Sequence, residues 1–448
     1  MTMPATRSRS ATAVVGALVV MVLAAGMATA VRRRASQVRA TPARPAPTAS
    51  RPTGSSSTTT TKVLPPEPAY ITTIKAQVAE LRGLAWKAPL AVAVVSKDEL
   101  ARRFKAGTER DAKPDRLAGD GEAYKVLHLI PTDTDYAKTV EDLFSGLVLG
   151  FYDPETKQLV VGDSGGQVDG ATKVTLAHEL DHALTDQWFD FGAKTKALDD
   201  ADRQEELDAF DSLIEGDAKL LEARFADKYL TDEEQLTYAL GGLGGDDGAA
   251  AKVARTPKFL LDYLYFPYTQ GLDFVKAQTV GRGFAGVDDA YRRPPTSTEQ
   301  ILHPELYAAA QGWSPPGLVD VGPPTGCQVE RRNTLGEFKM AELLASQIDR
   351  PAAEGAAAGW NGDAFEAVRC GSARGLVDRW QSDSEAAATR LAAALARWAP
   401  GWSKSKSVVG GRFTGSGGSG RVVASGTRVD LVLADDAATS DRLAAALG

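Results

Sequence analysis

Histidine and cysteine are the scarce residues of this 448-residue chain, with four copies and two. Two cysteines cannot build a disulfide-scaffolded fold. Neither has a histidine beside it in sequence, which argues against a cysteine nucleophile. A long basic run is missing from the globular part, and the net charge is -7. That balance argues against a nucleic-acid surface, which needs a basic face. No internal repeat is visible, and none of the repeats that bind cell walls. What is present is ordinary for a globular protein: 43% apolar and 24% charged residues, with length for two or three domains.

The N-terminus is not ordinary. Arg7 and Arg9 precede an unbroken apolar run over residues 11–30, ending in Ala28-Thr29-Ala30. The small-x-small ending fits signal-peptide cleavage. The run is also about 30 Å long as a helix, enough to span a bilayer uncut. Arg32, Arg33 and Arg34 follow and by charge prefer the cytoplasmic side. This conflict favours cleavage, or an anchor oriented by something other than charge. Residues 1–34 therefore read as a signal peptide or membrane anchor. Residues 35–66, rich in Pro, Ser, Thr and Arg, read as a disordered stalk. The expected location is extracytoplasmic, membrane-anchored or secreted. In an exported protein Cys327 and Cys370 pair in one disulfide or stay as two buried thiols.

The rest reads as α+β and helix-dominated, with a main domain over 67–318 and a smaller C-terminal α/β subdomain over 319–448. The patterns predict helices at 67–84, 119–129, 136–147, 169–189 and 202–229, and two helical segments between 257 and 277. A strand is expected at 90–96 and a hairpin across 146–163, turning at Asp153-Pro154-Glu155-Thr156. Beyond 319 the pattern changes: residues 325–339 read as β-rich or irregular, and 352–359 is rich in alanine. A helix then covers 385–398, a hairpin 421–435 and a last helix 437–447.

Two of the four histidines share one helical turn, in "TLAHELDHALTDQ". Residues four apart lie on one helix face, so His178 and His182 can aim both imidazoles at one ion. Glu179 can reach a water on that ion without ligating it. This HExxH arrangement takes two zinc ligands and a general base from one turn. Chance at this composition gives on the order of 0.002 matches per chain. Leu176, Leu180, Leu184 and Trp188 form a second stripe that pins the helix to the core. A catalytic zinc needs a third ligand. Glu215, flanked by Leu213, Ile214, Leu220 and Leu221, is the first choice, with Asp217 and Glu222 as fallbacks. Gly216 leaves room for a close helix crossing. Asp181, Asp186 and Asp211 are near enough to orient ligands.

"HELDHALTDQ" followed by "IEGDA" resembles the gluzincin metallopeptidases. The first string resembles the zinc helix of thermolysin-like peptidases, and "EGDA" the Glu-Gly-x-Ala of zinc aminopeptidases. The resemblance spans residues 175–220. It implies a zincin-like core, Zn²⁺ bound by His178, His182 and Glu215, Glu179 as base, and a protein or peptide substrate. It says nothing of substrate preference. Gly150 to Tyr152, or Gln158 to Gly162, would pair with an extended substrate. His303 is the expected oxyanion donor, with Tyr307 as alternative. His128 reads as a core or edge histidine. The function expected is a zinc-dependent peptidase acting outside the cytoplasm. The alternatives are a non-catalytic envelope-anchored binding protein with a vestigial zinc site, or a cell-wall peptide amidase.

Overall fold

The structure, a computed structural model, describes residues 67–111, 113–144, 149–163, 165, 168–241, 252–313 and 324–447. The readings of 1–34 and 35–66 lie outside the described residues. Among the described ones, no helix is long and apolar enough to cross a membrane. The fold is α+β.

The N-terminal part runs α1 (Ala69–Arg82), β1 (Ala91–Val95), α2 (Lys97–Asp111), α3 (Pro114–Val126) and α4 (Tyr136–Phe144). The predicted hairpin follows as β2 (Gly150–Asp153) and β3 (Gln158–Gly162). Their sheet has the order β1-β3-β2, with β1 parallel to β3 and β2 antiparallel to it. This leaves β2 as an edge strand facing the next helix, α5 (Gly170–Phe189). The Asp169 side chain starts α5 by accepting the Thr172 N–H at 2.8 Å. Asp190, in the left-handed region at φ 49°, stops it. Leu176, Leu180 and Leu184 are buried as the stripe required. Trp188 corrects the fourth position. It is exposed, its Nε1 donating to Ala85 O and Lys87 Nζ lying 4.1 Å from its ring centroid.

Next come α6 (Phe191–Asp200), α7 (Gln204–Tyr229), α8 (Asp232–Gly241) and α9 (Lys258–Thr279). Where two helical segments were expected, α9 is one helix with Pro267 inside it. The crossing of α7 over α9 is set by two glycines. A Cβ on Gly216 would stand 2.2 Å from Gly271 O, and one on Gly271 would stand 2.2 Å from Ser212 O. Only hydrogen fits at either position, so the room expected at Gly216 is used for backbone contact. Helices α10 (Phe284–Arg292), α11 (Thr298–Leu302) and α12 (Pro304–Ala308) complete this part.

The C-terminal part contains β4 (Cys327–Asn333), α13 (Gly336–Ala345), α14 (Arg350–Ala357), β5 (Trp360–Cys370) and β6 (Ala373–Ser382). Then follow α15 (Glu385–Ser403), β7 (Arg412–Gly415), β8 (Gly418–Ser425), β9 (Arg428–Ala434) and α16 (Ala437–Ala446). The strands form one antiparallel sheet in the order β4-β5-β6-β9-β8-β7. Side chains alternate between its faces. Leu376, Trp380, Leu431 and Leu433 join Trp398 and Trp402 of α15, while Val377 and Val432 join Leu443 of α16. Cys327 and Cys370 stand opposite each other on β4 and β5 and form a disulfide. The long central hairpin β5–β6 has no counterpart in the sequence reading, because it is full of charge. Arg379 forms a buried pair with Asp430 at 2.9 Å, and the buried Glu366 meets the exposed Arg332 at 2.7 Å.

This sheet is not sealed off from the rest. Tyr124 and Val126 of α3 and Phe259 and Leu260 of α9 share its core with Trp360 and Trp398. Lys339 Nζ, buried, donates to Asp208 of α7 at 2.6 Å. His128 lies at this seam. It is exposed rather than core, with φ 55° and its ring stacked on Trp402 at 4.7 Å.

Two aspartates of the central hairpin, Asp363 and Asp378, are fully buried. Asp363 accepts the backbone N–H groups of Leu335 and Gly336 and the Trp360 Nε1–H, at 2.7–2.8 Å. Asp378 is buried beside Asp363, and neither of its carboxylate oxygens has a hydrogen-bond partner among the described residues, an environment that favours the neutral acid. Burial, then the Asp363 charge, holds its pKa well above the usual carboxylate range. The unfolded chain ionises this group near 3.8. The folded protein keeps the proton, so the cost is absent below that pH and grows as pH rises towards the folded pKa. Asp378→Asn keeps a neutral side chain of the same size without a titrating proton. Its melting temperature relative to wild type is expected to rise from pH 5 to pH 8. A difference independent of pH would remove this assignment.

Candidate metal centre

His178 and His182 project from α5, and Glu215 projects from α7 beside the glycine crossing. All three are buried. The three donor atoms form a near-equilateral triangle. His178 Nε2 to His182 Nε2 is 3.1 Å, His178 Nε2 to Glu215 Oε2 is 3.2 Å, and His182 Nε2 to Glu215 Oε2 is 3.5 Å. Ligands about 2.05 Å from a tetrahedral ion stand about 3.3 Å apart. Glu215 Oε2 is buried and accepts no hydrogen bond among the described residues. An acceptor left bare inside a protein is costly unless a cation takes it up. Residue types, spacing and the bare oxygen thus all fit a zinc ion.

Charge points the same way, since Glu179, Glu215 and Glu222 surround two imidazoles. Burial works against a charged His178, but the facing Glu215 and Glu222 carboxylates outweigh it and lift its pKa to about 10. Burial likewise opposes ionisation of Glu215, yet His182 and His178 hold its pKa at about 2. The pocket is built to hold positive charge.

Glu222 faces the far side of the first histidine, its Oε2 lying 3.3 Å from His178 Nδ1. It is itself held by Lys219 at 2.5 Å and Tyr238 at 2.6 Å. It is therefore not a ligand but a group that turns Nε2 towards the ion. Asp217 is not a ligand either; it accepts from Arg82 at 2.9 Å. The residues expected to orient ligands divide differently. Asp181 faces Arg82 at 3.6 Å. Asp186 ties the β2–β3 hairpin to α5, accepting from Tyr152 Oη at 2.7 Å and Lys157 Nζ at 2.5 Å. Asp211 is half-buried and makes no hydrogen bond to a ligand.

Glu179 is buried beside the triangle. The Tyr152 N–H on the edge of β2 donates to its Oε2 at 2.8 Å, while Oε1 has no partner among the described residues. Burial raises the pKa of this carboxyl, against the pull of His178 and His182. The edge strand expected to pair with substrate thus spends one amide on the carboxylate.

His303 is a correction. Its Nε2 meets Glu337 Oε1 of α13 at 2.8 Å, and its Nδ1 faces Glu305 at 3.8 Å. Nε2 thus serves the seam with the C-terminal part and Nδ1 its own segment, because the Pro304 that follows places the histidine between two short helices. Tyr307 also points elsewhere, donating to Arg293 O at 2.8 Å. The group at the centre that sequence reasoning missed is Tyr268 of α9. It is buried near Glu215, and its ring lies almost parallel to that of His178 with centroids 6.4 Å apart. The signal lay in Gly271, three residues on. A glycine crossing beside Glu215 puts the preceding turn of α9 against the ligand.

Residues 326–444 match a family model described as a domain of unknown function, DUF8575, which covers the six-stranded sheet and its helices but none of the residues of the metal centre. No curated protein and no solved structure matches the chain.

Proposed function

We propose that this protein is a zinc-dependent peptidase with a zincin-like core, hydrolysing peptide bonds outside the cytoplasm. The observation that carries the reading is the His178–His182–Glu215 triangle with an unoccupied-handed carboxylate, Glu179, beside it. Bound zinc supplies a Lewis acid that polarises the scissile carbonyl and brings a water's pKa towards about 7. The Tyr152 amide fixes Glu179 through Oε2, which leaves Oε1 to take the proton of the attacking water and pass it to the leaving amine. A carboxyl whose pKa burial has raised is better suited to that exchange than an exposed one. The Tyr268 hydroxyl, buried near Glu215, is the donor for the charge that develops on the carbonyl oxygen. The Cys327–Cys370 disulfide and the apolar run at 11–30 support an oxidising location.

The test is metal content and cleavage of an unstructured protein by the full chain. One zinc per chain and cleavage that chelation stops are expected. Tyr268→Phe should lower kcat more than it raises KM. Absence of stoichiometric zinc would end the reading. Zinc without cleavage would favour the binding-protein alternative, and cleavage of wall peptides alone the amidase.

A further inference from the structure

Arg82 closes α1, far in sequence from the metal centre, yet its side chain is buried behind it. Its Nε and Nη2 donate to Asp217 Oδ2 at 3.2 and 2.9 Å. Its Nη1 donates to Asp288 of α10 at 2.7 Å, and its Nε lies 3.6 Å from Asp181 Oδ1. The Phe284 ring stacks against the guanidinium at 4.5 Å. Asp181 sits between the two histidines on α5, and Asp217 lies two residues after Glu215 on α7. One guanidinium therefore hydrogen-bonds α7 through Asp217 and faces the Asp181 carboxylate of α5 at ion-pair distance, so it contacts both helices that supply the donor triangle.

We infer that Arg82 is a positioning residue that sets how α5 and α7 lie against each other and so holds the imidazole pair and the Glu215 carboxylate at metal-binding separation. This rests on the zinc reading. The planar fork is needed, because only a guanidinium presents separate N–H groups to carboxylates on different elements at fixed angles. A lysine ammonium at the same place is a single point charge with no fixed directions. The contact with Asp288 is of another kind: α10 carries no donor, so that bond holds the fork from the side without touching the triangle.

The glycine crossing and the Arg82 fork act on different helix pairs. Gly216 and Gly271 set α7 against α9, and Arg82 sets α7 against α5. Of the two, only the Arg82 contacts join the helices that carry the donors, which must stand about 3.3 Å apart for a tetrahedral ion.

The experiment measures zinc affinity by chelator competition, and the visible spectrum of the cobalt-substituted protein, for wild type, Arg82→Lys, Asp288→Asn and Arg82→Met/Asp217→Asn. Circular dichroism and thermal melting establish which variants fold. The double variant removes charge of both signs together and covers the case in which Arg82→Lys does not fold. In a folded Arg82→Lys or double variant, zinc affinity is expected to fall by about 10- to 100-fold, the usual effect of groups that orient ligands, with an altered cobalt spectrum. Asp288→Asn should keep both close to wild type. A folded Arg82→Lys or double variant with wild-type affinity and spectrum would overturn the inference and reduce Arg82 to a stability role. Failure of the wild type to bind zinc would instead end the parent reading.

Discussion

Glu179→Gln is expected to cut hydrolysis of an unstructured protein by a factor of about 10² to 10⁴ while leaving one zinc per chain. Glutamine keeps the size of the side chain and can still accept the Tyr152 N–H through its carbonyl oxygen. What it lacks is a site for the water's proton. The variant also removes one of the negative charges around the imidazoles, so zinc affinity should change far less than rate. Initial rates at saturating substrate, with metal content measured on the same preparation, decide the matter. A loss below tenfold with zinc retained would take the base role away from Glu179.

The second large effect is expected from Gly216→Ala. The added Cβ would meet Gly271 O at 2.2 Å and Gly271 C at 2.3 Å, both backbone atoms that cannot turn aside. The helices must part, at a cost of about 1–3 kcal/mol. Their separation also draws Tyr268 from Glu215, since the two residues lie just before the two glycines. Thermal melting and zinc affinity should therefore fall together. Gly355→Ala, in α14 with nothing within 4 Å of the new Cβ, is the control. It should be neutral or stabilising, because alanine loses less backbone freedom on folding than glycine. Unchanged melting of Gly216→Ala would mean that the crossing is not as close as described.

The metal centre was legible where its geometry is local. His178, Glu179 and His182 lie within one turn of one helix, and a period of 3.6 residues places them without reference to any other part of the chain. Glu215 was legible for a weaker reason: an acid among large apolar residues, followed by glycine, marks a helix face pressed into the interior. The hairpin before α5 was legible from its turn residues and alternating strands.

Elsewhere the local pattern misled, for reasons of partnership. The β5–β6 hairpin carries Asp363, Glu366, Asp378 and Arg379 at buried positions, and their partners lie on other strands or turns. A strand whose inward side chains are charged has no apolar alternation to read. Trp188 completed an apolar stripe on paper, yet its position at the last turn of α5 leaves it on the surface beside Lys87. His303 looked like a cleft donor because a histidine before proline breaks a helix, and the carboxylate that claims it comes from α13.

The sequence by itself determined the chemistry on offer: two imidazoles and a carboxylate in one turn, a second acid in the next helix it predicted, and the small residue that lets helices touch. These follow from helical period and side-chain type, which are properties of a short segment. Only the tertiary structure decided which acid completes the triangle, that Tyr268 stands there in place of His303, and that Arg82 reaches both donor helices from a third. Those choices depend on helix crossings between segments up to about two hundred residues apart, and no short stretch of chain carries the relative position of two helices.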